Sequence, residues 1–243
     1  MWWPNGYGDQ VLYPLNIKVK TGNDYVEKNY KIGFRTVELV QDVLEKGRSF
    51  YFKINGIPIF AKGSNWIPSS IFPEKTSDKK TLERLLKSAK DTNMNMLRVW
   101  GGGVYESTLF YEIADELGIM IWQDFMFACS MYPTTPTFLE SVREEVKQNM
   151  KRLKHHASIV LWAGNNENEA ALYGNWYGTG NKEIYKTDYV KLYADTIKHE
   201  ALLLDRNRPF VVSSPSNGLF SEERNYTNSN PYSSFYGDGM IPF

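Results

Sequence analysis

Several residue types that identify whole classes of protein are rare in this sequence. Its 243 residues include one cysteine, Cys129, so no disulfide can form within the chain. The three histidines, His155, His156 and His199, lack the spacing of metal ligands, and no haem-attachment spacing is present. His155 and His156 end a charged helical stretch, where a solvated position or an interaction with the helix dipole is expected. The sequence therefore predicts neither a metal site nor a cofactor.

Net charge and long apolar runs are lacking as well. Lys plus Arg and Asp plus Glu number 28 each, so no excess charge attracts the chain to nucleic acid or to an anionic membrane. No apolar run approaches the roughly 18 residues of a membrane-spanning helix. Met1–Gly6 lacks the basic and apolar regions of a signal peptide, and a single Asn-x-Thr sequon begins at Asn225. We expect a partner that is neither nucleic acid nor membrane, and a neutral polar substrate is compatible.

Aromatic residues, by contrast, are abundant. Trp, Tyr and Phe make up 15% of the sequence, and 42% of it is hydrophobic, which is enough for a sizeable core in one or two domains. Aromatic faces stack on the apolar faces of sugars, although most aromatic side chains belong to the core of a protein. The aromatic content therefore supports a sugar ligand without establishing one.

The first part of the chain is patterned as β-structure. Val11–Val19 and Tyr30–Leu39 alternate apolar and polar residues around the polar segment Thr21–Lys28, which predicts a β-hairpin with its turn in that segment. A second hairpin is predicted around Asn55–Gly56, the residue pair that best suits a type I′ turn. Residues 1–47 are therefore interpreted as a small β segment.

Short apolar runs then alternate with helical patterns. The predicted strands are Ile59–Lys62, Met96–Trp100, Ile119–Trp122, Ser158–Trp162 and Pro209–Ser213. The predicted helices are Asp78–Thr92, Glu106–Leu117, Thr137–His155 and Tyr189–Leu204. Polar or glycine-rich residues follow the strands at Gly63–Asn65, Gly101–Gly103, Gln123–Asp124, Asn165–Glu169 and Ser213–Asn217. A doubly wound sheet binds ligands only near its switch point, so polar clusters after five strands favour a (β/α)8 barrel with its site at the carboxyl ends.

The cluster Asn165–Glu169 is the strongest indication of a site. Two carboxylates and three amides crowd the end of a predicted buried strand, where polar groups are costly without partners. An Asn beside a Glu suits sugar chemistry, because the amide can bind a ring hydroxyl while the carboxyl protonates a glycosidic oxygen. The same residues also suit a helix start, where Asn caps and Glu favours the dipole. The local pattern alone does not decide between these interpretations.

Six motifs in order carry a resemblance to a known family. They are Trp2–Gly6, Gly33–Thr36, Lys62–Pro68, Leu97–Gly103, Trp122–Phe125 and Gly164–Glu169. Together, from Trp2 to about Asp238, the sequence resembles the β-mannosidases of glycoside hydrolase family 2, and closely those of animal lysosomes. The resemblance implies an immunoglobulin-like β-sandwich domain that leads into a (β/α)8 TIM barrel. It also implies retaining hydrolysis of terminal, non-reducing β-linked mannose in β-mannosides during lysosomal glycoprotein breakdown.

The resemblance also implies roles for individual residues. Glu167 matches the general acid/base at the end of the fourth barrel strand, and Asn166 matches the amide that contacts the sugar 2-hydroxyl. Trp100 and Trp176 resemble aromatic walls of the mannosyl subsite, although ordinary core or lid positions would also account for them. Glu169 is expected to stabilise the helix start or to hydrogen-bond within the loop.

Arg98 and Asp124 match positions at the ends of the second and third strands. The resemblance implies that they orient the catalytic carboxylates, and a simple buried ion pair is the alternative. The residues predicted to bind or to act on an oligosaccharide or small-molecule β-mannoside are Trp100, Trp176, Arg98, Asp124, Asn166 and Glu167.

The resemblance further implies that the sequence is part of a longer enzyme. Residues 1–47 are interpreted as the last strands of the sandwich, and residues 48–243 as the first part of the barrel, with about five to six strands. Ser229–Asp238 resembles the approach to strand six, after which the pattern departs from the family. The family's nucleophile is a Glu at the end of the seventh strand, beyond Phe243. We therefore expect this chain to be inactive by itself.

Two alternatives to a β-mannosidase stay open at this point. Another family 2 glycosidase, a β-galactosidase or β-glucuronidase, would share the barrel and the acid/base, although Trp100–Gly103 favours a mannosidase. A truncated, non-catalytic glycan-binding product is the second alternative.

Overall fold

A computed structural model describes residues 1–45 and 48–216 of the chain. The predictions for Asn217, for the Asn225 sequon and for Ser229–Asp238 lie outside these residues. The described residues form three β-sheets and a set of helices. Within these two ranges, no helix is both long and apolar enough to cross a membrane.

The first sheet is an antiparallel hairpin of β1 (Tyr13–Thr21) and β2 (Asp24–Ile32). A hairpin was predicted, but the turn assigned to Thr21–Lys28 is wrong, because most of that segment belongs to β2 and Gly22–Asn23 alone make the turn. The predicted second strand, Tyr30–Leu39, is also wrong, because β2 ends at Ile32 and residues from Val37 onward belong to another sheet. Gly22 has a φ of +59°, which a two-residue turn can require. Nearly all residues of both strands are exposed, so polar composition did not distinguish strand from turn here.

The second sheet has the order β3 (Val37–Val40), β4 (Tyr51–Ile54) and β5 (Ile57–Ile59), all antiparallel. The predicted turn at Asn55–Gly56 is confirmed, since both residues have the positive φ of a type I′ turn, 52° and 82°. This sheet takes strands from both sides of the predicted division between residues 47 and 48, and the division itself stays a prediction.

The third sheet is parallel and has five strands within the described residues. They are β6 (Gly63–Trp66), β7 (Met96–Val99), β8 (Met120–Asp124), β9 (Ile159–Ala163) and β10 (Phe210–Val211). Each strand pairs with the next strand in the chain, without a reversal of order. Sequential order of this kind is that of a barrel, whereas a doubly wound sheet reverses its strand order at the switch point.

The first parallel strand does not lie where the apolar pattern placed it. Ile59–Lys62 was predicted, but Ile59 ends the antiparallel β5 and Phe60 is 58% exposed. The strand is instead β6, the polar segment Gly63–Trp66, in which Ser64 and Asn65 are exposed. Similarly, Gln123 and Asp124 are the last residues of β8 and do not follow it.

Helices connect the strands of the parallel sheet. They are α1 (Pro73–Thr76), α2 (Lys79–Asp91), α3 (Thr108–Leu117), α4 (Pro136–Leu153), α5 (Asn168–Tyr173), α6 (Glu183–Tyr189) and α7 (His199–Leu204). A 3₁₀ turn covers Trp176–Gly178, and a π-helix, Val190–Lys198, makes α6 and α7 one continuous helical stretch. That stretch begins at Glu183, earlier than the predicted Tyr189, because its first turns mix polar residues with an exposed Ile184 and show no apolar periodicity.

The parallel sheet has a hydrophobic core on each face. On one face the helices pack on strand residues such as Leu97, Ile121 and Trp162. On the other face, Met96, Met120 and Trp122 pack against Trp2 and the second sheet. Side chains alternate along a strand, so Arg98 and Asp124 follow Met96 and Trp122 on this second face, towards the carboxyl ends of the strands.

Candidate active site

An ion pair lies at the centre of the site. The guanidinium of Arg98 donates to both carboxylate oxygens of Asp124, from Nη2 to Oδ2 at 2.8 Å and from Nε to Oδ1 at 3.3 Å. Both side chains are almost completely buried, and the indole of Trp122 and the amide of Gly101 also donate to Asp124, each at 3.0 Å. Burial raises the pKa of Asp124, while the Arg98 charge and these donors oppose the rise. The four donors hold the carboxylate in one orientation.

Arg98 also donates to two asparagine side chains outside the ion pair. Its Nη2 also donates to Asn166 Oδ1 at 2.9 Å, and its Nη1 donates to Asn65 Oδ1 at 3.3 Å. Because the guanidinium only donates, it fixes which atom of the Asn166 amide faces it. The amide nitrogen of Asn166 is therefore directed away from Arg98, and it donates to Cys129 Sγ at 3.3 Å.

Glu167 directly precedes α5, at its N-cap position, in a conformation that is rare for its residue type. Its φ is 63°, and its side chain makes no capping hydrogen bond to the helix. Its backbone N–H donates to the carbonyl of Ser214 at 2.9 Å, and its half-buried carboxyl accepts from Cys129 Sγ at 3.2 Å through Oε2. Left-handed backbone at a non-glycine residue is strained and clusters at functional sites. The geometry does not support a capping role for the Glu167 side chain.

The two flanking amides hold the loop instead. Asn165 accepts from the N–H of Asn168 at 3.0 Å and from Ser213 Oγ at 2.6 Å. Asn168 accepts from the N–H of Ser130 at 3.2 Å and donates to the hydroxyl of Tyr193. The helix-start interpretation therefore fits Asn165, and Asn166 is the amide that faces the Arg98–Asp124 pair.

The second carboxylate of the cluster has a different environment from Glu167. Glu169 is completely buried and accepts from Tyr189 at 3.0 Å and from Ser216 at 2.8 Å. Burial, with the adjacent Glu169 charge, raises the pKa of Tyr189 well above its usual value, so Tyr189 keeps the proton that it donates. These bonds give Glu169 a structural role within the loop.

The two predicted aromatic walls lie outside the strands of the parallel sheet. Trp100 comes directly after β7 and is half-buried, and its ring lies so close to Gly102 that a Cβ there would come within 2.1 Å of it. Trp176 lies in the 3₁₀ turn after α5 with 37% exposure, against Gly174. Their assignment to a sugar subsite stays a prediction.

Cys129 is a contact residue of the site that was not predicted. It lies in the loop after β8, and its sulfur touches both Asn166 and Glu167. The sequence signal for this contact is that Cys129 lies a few residues beyond Asp124, the polar end of β8.

A family profile described as "Glycosyl hydrolases family 2, TIM barrel domain" matches residues 46–241. The chain therefore belongs to glycosyl hydrolase family 2, and five strands of its barrel domain lie in the described parallel sheet. The predicted resemblance to the β-mannosidases of this family is confirmed by the relatives that follow.

Similar proteins include the beta-mannosidases of Capra hircus, 53% identical over 243 residues, and Rattus norvegicus, 51% identical over 242 residues. Each match covers 98% of this chain but 27% of the relative, so the chain spans about a quarter of the length of these curated relatives. The crystal structure of a β-D-mannosidase from Dictyoglomus thermophilum matches with a TM-score of 0.81 and 42% identity, over 93% of this chain and 27% of that one. A β-glucuronidase from Parabacteroides merdae, at 19% identity and a TM-score of 0.66, shares the fold.

Proposed function

We propose that the protein containing this sequence is a retaining β-mannosidase that hydrolyses terminal, non-reducing β-D-mannose residues, with glycoprotein glycans as the natural substrates. The observation that carries the proposal is the pairing of Glu167 with Asn166 at the carboxyl edge of the parallel sheet. The carboxyl is half-buried and makes no helix-capping bond, and the amide beside it is oriented by Arg98. Relatives that are named beta-mannosidase and are 51–53% identical support this choice of substrate.

In this proposal Glu167 is the general acid/base. It protonates the glycosidic oxygen as the bond to the leaving group breaks, and afterwards removes a proton from the water that releases mannose. Asn166 has two amide hydrogens, one of which is donated to Cys129. We assign the other to the 2-hydroxyl of the mannosyl ring, a contact that strengthens in an oxocarbenium-like transition state.

Arg98 and Asp124 act through Asn166 in this proposal. They hold the amide in the orientation that its sugar contact requires, as the hydrogen bond from Arg98 to Asn166 Oδ1 indicates. Trp100 and Trp176, which are both partly exposed, are assigned to the walls of the mannosyl subsite, where their rings would stack on the sugar.

The nucleophile is assigned to a part of the full-length enzyme outside the described residues. Retaining glycosidases need a second carboxyl about 5–5.5 Å from the acid/base. The two other carboxylates of the described site are already bound, Asp124 by Arg98 and Glu169 by Tyr189 and Ser216. We therefore expect the 243-residue chain by itself not to hydrolyse β-mannosides.

We also propose that residues 1–47 belong to an immunoglobulin-like sandwich and that residues 48–243 belong to the barrel. The hairpin β1–β2 exposes an alternating apolar face, including Leu15 at 38%, Ile17 at 41% and Val19 at 55%. An isolated two-stranded hairpin is marginally stable in water, so further strands are needed to cover this face. A lysosomal location is proposed from the family resemblance.

The experiment that tests the function compares substrates. The full-length gene product is assayed with the p-nitrophenyl β-glycosides of mannose, galactose and glucuronic acid at equal concentrations. We expect kcat/KM to be highest for the mannoside, by at least about tenfold, since one well-placed hydroxyl contact discriminates by this much or more. A higher value for the galactoside or glucuronide would assign a sister activity. The absence of turnover with saturable mannose binding would assign a glycan-binding protein.

A further inference from the structure

Cys129 lies between the two residues to which the proposed chemistry is assigned. Its sulfur is 3.2 Å from Glu167 Oε2 and 3.3 Å from Asn166 Nδ2. A thiol carries one hydrogen and can also accept, so Cys129 can donate to the carboxylate while it accepts from the amide. Glu167 and Asn166 are therefore joined through one side chain.

The backbone holds Cys129 in this position. Its N–H donates to the carbonyl of Asn166 at 3.0 Å, and the N–H of Asn166 donates to the carbonyl of Phe127 at 2.9 Å. Cys129 itself has a φ of 52°, so two residues with left-handed backbone, Cys129 and Glu167, meet side chain to side chain. Such backbone is kept only where the surroundings enforce it. The contact is therefore fixed by the same hydrogen bonds that place the loop after β8 against the loop after β9.

We propose that Cys129 is a positioning residue for the general acid/base. This inference rests on the proposed function of Glu167. The thiol holds Oε2 of Glu167 and thereby leaves Oε1 to meet the glycosidic oxygen. By accepting from Asn166 it also keeps the amide from rotating away from the sugar 2-hydroxyl. Serine offers the same donor and acceptor on a shorter bond and alanine offers neither, so the two replacements separate the hydrogen bond from packing.

The first test is leaving-group dependence in the full-length gene product. Cys129→Ala should reduce kcat/KM for an alkyl β-mannoside by about tenfold, a fraction of the 10²–10⁴-fold that acid/base assistance supplies. It should reduce kcat/KM for dinitrophenyl β-mannoside much less, because that leaving group needs little protonation. Cys129→Ser should recover most of the loss. Ser130→Ala, a change at an exposed neighbour that keeps the backbone N–H, is the matched control and should change neither rate.

Equal losses of Cys129→Ala on the two substrates, or a serine variant no better than alanine, would show that Cys129 contributes packing alone and would overturn the proposal. A wild-type enzyme without β-mannosidase activity would instead remove the proposed function, and the positioning role with it.

The second test does not depend on activity. The rate of alkylation of Cys129 by iodoacetamide is measured by mass spectrometry of the peptide that contains it. A carboxylate in contact with a thiol disfavours the reactive thiolate, so Glu167→Gln should speed alkylation by several fold. Glu169→Gln, which removes the neighbouring carboxylate bound to Tyr189, should leave the rate unchanged. Equal rates in the wild type and in Glu167→Gln would show that the contact does not exist in solution.

Discussion

At the scale of single residues, Arg98 connects more of the candidate site than any other described side chain. It holds Asp124 in a buried ion pair and orients Asn166. Replacing it with Met leaves the Asp124 carboxylate buried without its charge partner, which typically costs about 3–5 kcal/mol. We expect Arg98→Met to lower the free energy of unfolding by this order, measured by urea titration.

The matched control is Lys87→Met, which breaks an ion pair with Asp91 that is exposed on α2. Surface pairs contribute little, so this variant should unfold close to the wild type. If Arg98→Met were as stable as Lys87→Met, the ion pair of Arg98 with Asp124 would not be buried from water in solution.

His155 is expected to make stability depend on pH. Burial, and then the neighbouring His156, lowers the pKa of His155 from 6.5 to about 4. The folded chain therefore binds fewer protons than the unfolded chain between these values, so the stability contribution is present above pH 6.5 and is lost as the pH falls towards 4. For a half-exposed ring we expect the loss to be about 1 kcal/mol.

The measurement is the free energy of unfolding from pH 7 to pH 4 for the wild type and for His155→Gln. The glutamine variant should show a smaller loss of stability on acidification, because it removes the group that takes up the proton. Parallel curves for the two proteins would mean that the ring at position 155 titrates alike in the folded and unfolded chains.

The structure brings together several of the candidate residues that the sequence singled out, but the sequence does not indicate all of their contacts. Arg98, Asp124 and Asn166 lie at strand ends, and the structure brings them into direct contact because parallel strands end at the same edge of a sheet. Cys129 could not be predicted in this way. Its contact depends on a left-handed residue in a loop and on the pairing of Ala128 with Asn166, and composition and periodicity indicate neither.

At the scale of elements, burial decided which predictions succeeded. The strands β7, β8 and β9 are buried along their whole length, so their largely apolar runs placed them to within two residues. The strand β6 exposes Ser64 and Asn65, and β2 is almost entirely exposed, so neither has an apolar pattern that marks its ends. The sequence leaves the short α5 open, because the polar cluster Asn165–Glu169 suits either a site or a helix start, and α5 does begin within it, at Asn168.

A substitution at Gly63 tests whether β6 pairs with β7 in the observed register. Its backbone lies so close to β7 that a Cβ on Gly63 would come within 1.9 Å of the carbonyl oxygen of Met96. We expect Gly63→Ala to lower the free energy of unfolding by about 1–3 kcal/mol, as other overpacking substitutions do. Ser64→Ala, at the exposed next position, is the control and should have little effect. A stable Gly63→Ala protein would argue that β6 does not pair with β7 in this register.

At the scale of the whole molecule, the arrangement of the sheets explains where the site lies. The second sheet and Trp2 cover one face of the parallel sheet around Met96, Met120 and Trp122. Arg98 and Asp124 follow Met96 and Trp122 on the same face of the sheet, closer to the carboxyl ends of the strands. The loops after β8 and β9 meet beside them, where Asn166 donates to Cys129. The candidate site therefore lies at the carboxyl ends of the strands, which is where barrel enzymes carry their active sites.

Leaving-group dependence in the full-length gene product is the sharpest test of the proposed general acid/base role of Glu167. The measurement is kcat/KM of Glu167→Gln and of the wild type on alkyl and dinitrophenyl β-mannosides, since kcat/KM reports the step in which the leaving group departs. Glu169→Gln is the matched carboxylate control. We predict a loss of about 10²–10⁴-fold for Glu167→Gln on the alkyl substrate and a far smaller loss on the activated one. Equal losses on both substrates, or the same selective defect in Glu169→Gln, would contradict the assignment.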